Sequence, residues 1–169
     1  MIRIDKKILK TLLILTLGAF LCSCVSVNLG NSQGEKASGI KYSEPADPFD
    51  DQNLPYVDEA WTNPKTGNTI SFLSDCNSST DPSLKDLRDS TLSGLKSLNL
   101  QSSEEITYNG RAGLRSLATG SLDGVDSKVD LLVFKKNNCI YFLTYTGVPL
   151  QFNVDHMEFE RFVKEFNAP

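Results

Sequence analysis

Apolar positions along this chain change their spacing several times, and each change marks a segment. From Thr11 to Leu21 every residue is apolar or small, an 11-residue run, whereas a membrane-crossing helix needs about 20. From Val25 to Gly39 the residues are mostly Asn, Ser, Gly, Gln and Lys without a period, the pattern of a flexible tether with a root-mean-square reach of about 20 Å. From Ile40 to Leu54 the apolar Tyr42, Phe49 and Leu54 are interleaved with Pro45, Pro48 and the adjoining Pro55. Proline fixes φ and forbids helix, so this stretch predicts an extended segment that docks its aromatics on a domain. The alternative is continued disorder with Asp47, Asp50 and Asp51 as a solvated acidic patch. A calcium loop built from those acids lacks the regular ligand spacing such loops use.

The compact part is expected over residues 56–169. Tyr56–Asn63 and Thr69–Ser74 read as strands joined by the turn chemistry of Pro64 to Asn68. Asp81 followed by Pro82 marks a helix start, and Leu84, Leu87, Thr91, Leu95 and Leu98 form one stripe that predicts a helix ending near Leu98. Then come Ile106–Tyr108, the turn pair Asn109-Gly110, Arg111–Ser121, the turn Asp123-Gly124, Lys128–Lys135, the pair Asn137-Asn138, and Cys139–Thr146. Asn-Gly between apolar runs is a strong hairpin signal because both positions tolerate positive φ. The reading is an antiparallel meander of four strands.

Neither of the last two strands alternates cleanly. Leu131 and Val133 oppose Leu132 and Phe134, while Ile140 and Phe142 oppose Tyr141, Leu143 and Tyr145. A half-exposed strand is apolar on one face only, so this part of the sheet must be covered on both. Asp155 and Glu158 form a capping pair for a final helix whose Phe159, Phe162, Val163 and Phe166 make a buried stripe. One helix before the meander and one after it predict an α+β sandwich of helix, sheet and helix. This order of hairpin, helix, antiparallel meander and C-terminal helix, over residues about 56 to 166, resembles the PsbP-like sandwiches. That group includes the extrinsic protein of photosystem II and a small Ran-binding nuclear import factor. The resemblance implies a binding or assembly role and carries over no catalytic motif.

Charge changes the picture at the N-terminus. The 169 residues hold 17 bases and 21 acids, a formal charge of -4. Arg3, Lys6, Lys7 and Lys10 stand against the single acid Asp5 in residues 1–23, so the remainder keeps 13 bases and 20 acids, a charge of -7. An acidic body with scattered bases makes nucleic acid a poor partner, since such binding needs clustered Lys and Arg. The basic start, short apolar core and small residues read as an export signal over 1–23. Leu21, Cys22, Ser23 and Cys24 resemble the lipobox of bacterial lipoprotein precursors. That resemblance implies cleavage before Cys24, acylation of its thiol, and the lipid bilayer as first partner. Two or three acyl chains anchor stably where one does so marginally. The alternative is an ordinary cleaved signal with a chance cysteine. Val25 after the cysteine permits the outer membrane, by analogy with enterobacterial sorting. The segment from Trp61 to Cys76 and the start of the last strand, Cys139-Ile140-Tyr141, also resemble secreted lipoproteins of Gram-negative bacteria.

With Cys24 acylated, Cys76 and Cys139 remain, and an even pair in an exported chain reads as a disulfide. Two free thiols or a redox pair are the rivals, and the C-x-x-C of a redox pair is missing. Zinc-type local spacing is missing too, so no metal or cofactor is expected. The one histidine, His156, has no G-x-S-x-G nucleophile to serve and reads as a solvated helix-start residue. Asp123 with Asp126, and Asp58 with Glu59, are the carboxylate pairs a two-acid mechanism could draft; the plain reading is acids in turns and on solvated strand faces. Arg111 and Arg115 share a strand face opposite Ala112 and Leu114. They read either as an anionic-ligand face or as the solvent side of an edge strand. The expected function is a lipid-anchored, non-enzymatic binding or assembly domain of the bacterial envelope with a protein or small-ligand partner. The alternatives are an envelope hydrolase whose acids meet only in the folded chain, and a structural spacer or surface antigen.

Overall fold

The computed structural model of the chain describes residues 35–76 and 80–169; the expected export signal, Cys24 and the expected tether up to residue 34 lie outside the described residues. Seven strands form one antiparallel sheet: β1 (Asp50–Asp51), β2 (Glu59–Thr62), β3 (Thr69–Cys76), β4 (Lys96–Tyr108), β5 (Arg111–Leu122), β6 (Val125–Lys136) and β7 (Cys139–Gly147). Their order across the sheet is β1-β2-β3-β7-β6-β5-β4. Among the described residues the helices are α1 (Leu84–Leu92) and α2 (Phe152–Glu165).

The meander is closed by the turn pairs read from the sequence. Asn109 and Gly110, Asp123 and Gly124, and Asn137 and Asn138 all have positive φ, the conformation a two-residue hairpin needs to match the strand twist. As expected, β6 and β7 are covered on both faces. On one face Leu132, Phe134, Tyr141, Leu143 and Tyr145 meet Phe159, Phe162 and Phe166, with Trp61 and Phe72 in the same cluster. On the other, Leu131, Val133 and Ile140 pack with Leu92 and with Leu84, Leu87 and Leu95. The result is the α+β sandwich that the resemblance implied.

Several boundaries differ from the sequence reading. Helix α1 ends at Leu92, and its cap is Ser83, which shares a reciprocal box with Asp86; Asp81 instead pairs with Lys135. Ser93 and Gly94 end the helix, and Leu98 and Leu100 belong to β4, where both are exposed. That strand starts ten residues before Ile106 because Lys96–Glu105 are exposed on both faces and so carry no alternation. Helix α2 starts at Phe152, one turn before Asp155, and its cap Gln151 makes no side-chain capping bond. Asp155 accepts bonds from Thr66 Oγ1 and Asn68 Nδ2 at 2.6 and 2.7 Å, tying the β2–β3 turn to the helix.

The compact body also begins before Tyr56. The Cys76 amide donates to the Glu35 carbonyl, the Ala37 amide donates to Ser74 Oγ, and Lys41 and Asn167 exchange two backbone bonds. Residues 35–39 of the expected tether therefore run beside β3. In the proline-rich stretch Tyr42 packs edge-on against Trp61 and Phe72, and Phe49 is buried, but Leu54 is left 45 % exposed.

Gly147 closes β7 where no side chain fits, because an added Cβ lies 1.9 Å from Oδ1 of the fully buried Asn68. Asn68 cannot yield freely, since its Nδ2 donates to the Gln151 carbonyl and to Asp155. Gly147→Ala is expected to cost about 2 kcal/mol, within the range for overpacking. Urea unfolding checks it, and an unchanged midpoint would show that Asn68 moves at no cost.

Candidate functional site

Arg115 of β5 and Asp130 of β6 project on the sheet face that carries α2, and α2 brings His156 and Glu160, one helical turn apart, onto the same spot. Arg115 donates to both oxygens of Asp130 at 3.0 and 2.7 Å and to both oxygens of Glu160 at 3.0 and 2.6 Å. His156 Nε2 lies 2.8 Å from Asp130 Oδ2, and its Nδ1 lies 3.8 Å from Glu160 Oε1. The imidazole is wedged between the Phe152 and Tyr145 rings, with centroids 5.3 and 5.5 Å away. A concavity of about 330 Å³ opens above the cluster, with Ser102, Glu104, Lys128 and Asn153 in its wall.

The Asp130 side chain is only 6 % exposed. Burial alone pushes its carboxyl up, but hydrogen bonds from His156 and Arg115 and the Arg115 charge outweigh this and hold it below the usual carboxylate range. The Arg115 guanidinium is pushed up, first by its bond to Asp130, with burial opposing and Glu160 adding. One cation is thus shared by two carboxylates.

Asp130, His156 and Glu160 offer ligand atoms within 4.8 Å of one another, the donor types of a divalent-metal site. Arg115 already holds both carboxylates, and the two acids approach different ring nitrogens. A metal ion would have to displace the guanidinium first, so the geometry is that of an ion-pair network joining α2 to the sheet. A carboxylate-oriented imidazole could also act as a general base. Among the described residues no hydroxyl or thiol is hydrogen-bonded to it.

The residues singled out by sequence are scattered. Strand β5 is internal, so Arg115 is not the solvent side of an edge strand; the edge is β4. Arg111 is not beside Arg115 in this site. It lines a separate depression with Lys135, Lys136 and Asn137, next to Cys139. Asp123 and Asp126 flank the β5–β6 turn, whereas Asp58 and Glu59 sit at β2, across the sheet. Asp58 accepts bonds from the Ser74 amide and hydroxyl. Cys76 and Cys139 are joined as a disulfide between directly opposed residues of β3 and β7. His156 is partly buried and bonded rather than solvated. Asp130 was the available clue: a lone acid in the run Val129–Phe134, on the face that alternation buries, requires a partner.

No protein-family model matches the chain, and no curated protein matches it. Among solved structures it is similar to LpqN, described as involved in cell envelope biogenesis of Mycobacterium tuberculosis, with a TM-score of 0.59 and 11% identity over 83% of this chain and 88% of that one. It is also similar to cyanobacterial PsbP (CyanoP) from Synechocystis sp. PCC 6803, with a TM-score of 0.53 and 10% identity over 83% and 99%. At these identities the likeness is one of fold, and the fold is the PsbP-like sandwich.

Proposed function

We propose that the protein is a lipid-tethered binding or assembly module of the bacterial cell envelope, anchored through acylated Cys24 and without an enzymatic activity of its own. The observation that carries this reading is the polarity of the domain. The Glu35 carbonyl accepts from the Cys76 amide, beside Cys139 at one end of the central strand β7. The Arg115 concavity and the exposed Leu150, Val154 and Met157 lie toward Gly147 at the other end. Nine residues of strand separate the two ends, about 30 Å. A body tethered from Cys24 through its first end would leave that second end free to meet a partner.

Two further features support the envelope. A disulfide persists in an oxidising compartment, and LpqN, one of the fold's neighbours, is described as serving envelope biogenesis. Residues 21–24 supply the lipidation signal. Intact mass of the membrane-extracted protein should show Cys24 as the first residue, carrying acyl chains, and two hydrogens fewer than the reduced chain. Cys24→Ala should abolish labelling by a palmitate analogue and release the chain from membranes. Unlabelled wild type that retains Met1 would overturn the anchor. Detergent extraction should yield one stoichiometric partner; recovery of the protein alone would leave a spacer.

A further inference from the structure

Among the described residues the sheet has one long open edge. At the β1 side the terminal strand is two residues long, between Pro48 and Pro55, and such short, proline-flanked edges do not recruit further strands. At the other side stands β4, 13 residues long. Its first half is broken by register shifts between Lys96 and Asn99 and between Leu100 and Ser102, irregularities that blunt an edge. From Ser102 to Tyr108 the register against β5 is continuous, so this half is a regular template.

Which backbone groups face outward follows from the turn. Tyr108 and Arg111 flank the two-residue loop Asn109-Gly110 and are opposed, which makes them a hydrogen-bonded pair; bonding then alternates along the strand. Tyr108, Ile106 and Glu104 direct their amides and carbonyls to β5. Thr107, Glu105 and Ser103 direct theirs away from the sheet, and among the described residues no backbone bond reaches them from outside β5.

Charge selects the occupant. Glu104 and Glu105 are exposed and point to opposite faces of the strand. Neither has an ion-pair partner among the described residues. Arg115, directly opposite Glu104, is taken by Asp130 and Glu160. A second copy of this chain fits badly, because antiparallel pairing over the whole of Ser102–Tyr108 sets Glu105 against its own mate, and like charges directly opposed are destabilising. An extended strand with two adjacent basic residues places one on each face, against Glu104 and Glu105.

We infer that the outer edge of β4 from Ser102 to Tyr108 is a strand-addition site for an extended segment of a partner protein carrying a Lys or Arg pair. Backbone bonds to Ser103, Glu105 and Thr107 give the affinity and the two glutamates give the selectivity. The inference does not depend on the lipid anchor.

The test uses the full chain in detergent and a synthetic peptide of Thr and Val around a central Lys-Arg pair, with a Glu-Glu version as control. Saturating basic peptide should slow amide hydrogen exchange at Ser103, Glu105 and Thr107, and the Glu-Glu peptide should bind at least about tenfold more weakly. Thr107→Pro removes an outward amide and leaves the β5 bonds intact, so it should weaken binding by about tenfold or more while core amides stay protected. If that variant fails to fold, Glu104→Gln with Glu105→Gln should remove the preference for the basic peptide. Equal binding of both peptides, protection confined to other strands, or binding indifferent to these substitutions would overturn the proposal. So would protection of the same amides that grows with protein concentration alone, which would assign the edge to a second copy.

Discussion

Replacing Cys76 and Cys139 together by alanine is expected to lower the free energy of unfolding by about 4 kcal/mol, because the link closes a loop of 63 residues in the chain-entropy account. The position of the bond makes the loss global. The β1–β3 hairpin and the β4–β7 meander share the sheet only through the β3–β7 seam, and the disulfide joins the residues at the end of that seam. Pairing across it requires the chain to return after the whole meander, and the covalent link removes most of that entropy from the unfolded ensemble. With a urea dependence of about 2 kcal/mol per molar, typical of a domain this size, the midpoint should fall by about 2 M. Reduced wild type should unfold at the same midpoint as the double variant. A shift below about 0.5 M would mean that the unfolded chain already keeps the two strands together.

The parts of the fold that were legible in the sequence are those in which one residue type has one physical use. Asn109-Gly110 and Asp123-Gly124 can hardly be anything but tight turns, and residues 131–134, apolar on both faces, can hardly be anything but a covered strand. Strand β4 was legible only at Ile106 to Tyr108, where Ile106 and Tyr108 reach the core. Its polar half is held by backbone pairing, which leaves no mark on side-chain choice. Residues 35–39 escaped for the same reason: their bonds to β3 and Ser74 involve backbone atoms of residues that read as linker. The candidate site needed the fold itself. Residues 115, 130, 156 and 160 lie on three elements, and Arg115 read as half of a strand face with Arg111, although the sheet sets the two in different surroundings.

Removing the shared cation tests what that site contributes. Arg115→Met keeps much of the side-chain volume but strips the bidentate partner from a buried carboxylate. Losing one member of a buried ion pair costs about 3–5 kcal/mol. The low end, about 3 kcal/mol, is expected here, because Arg115 is 26 % and Glu160 37 % exposed and water screens that half of the network. The sign with pH is fixed by Asp130. Its folded-state carboxyl titrates below the ordinary value near 4, so its contribution is complete above that pH and is lost as the pH falls further. Asp130→Asn should therefore remove part of the acid-side fall in stability, and Arg115→Met should flatten it by weakening the hold on the ionised form. Arg115→Met combined with Asp130→Leu should recover most of the single-variant loss, since an apolar pair leaves no buried charge unmatched. Urea unfolding at neutral pH and at pH about 3 separates these cases. An Arg115→Met cost under about 1 kcal/mol with an unchanged acid limb would mean that His156 alone satisfies Asp130 and that Arg115 serves the concavity rather than the fold.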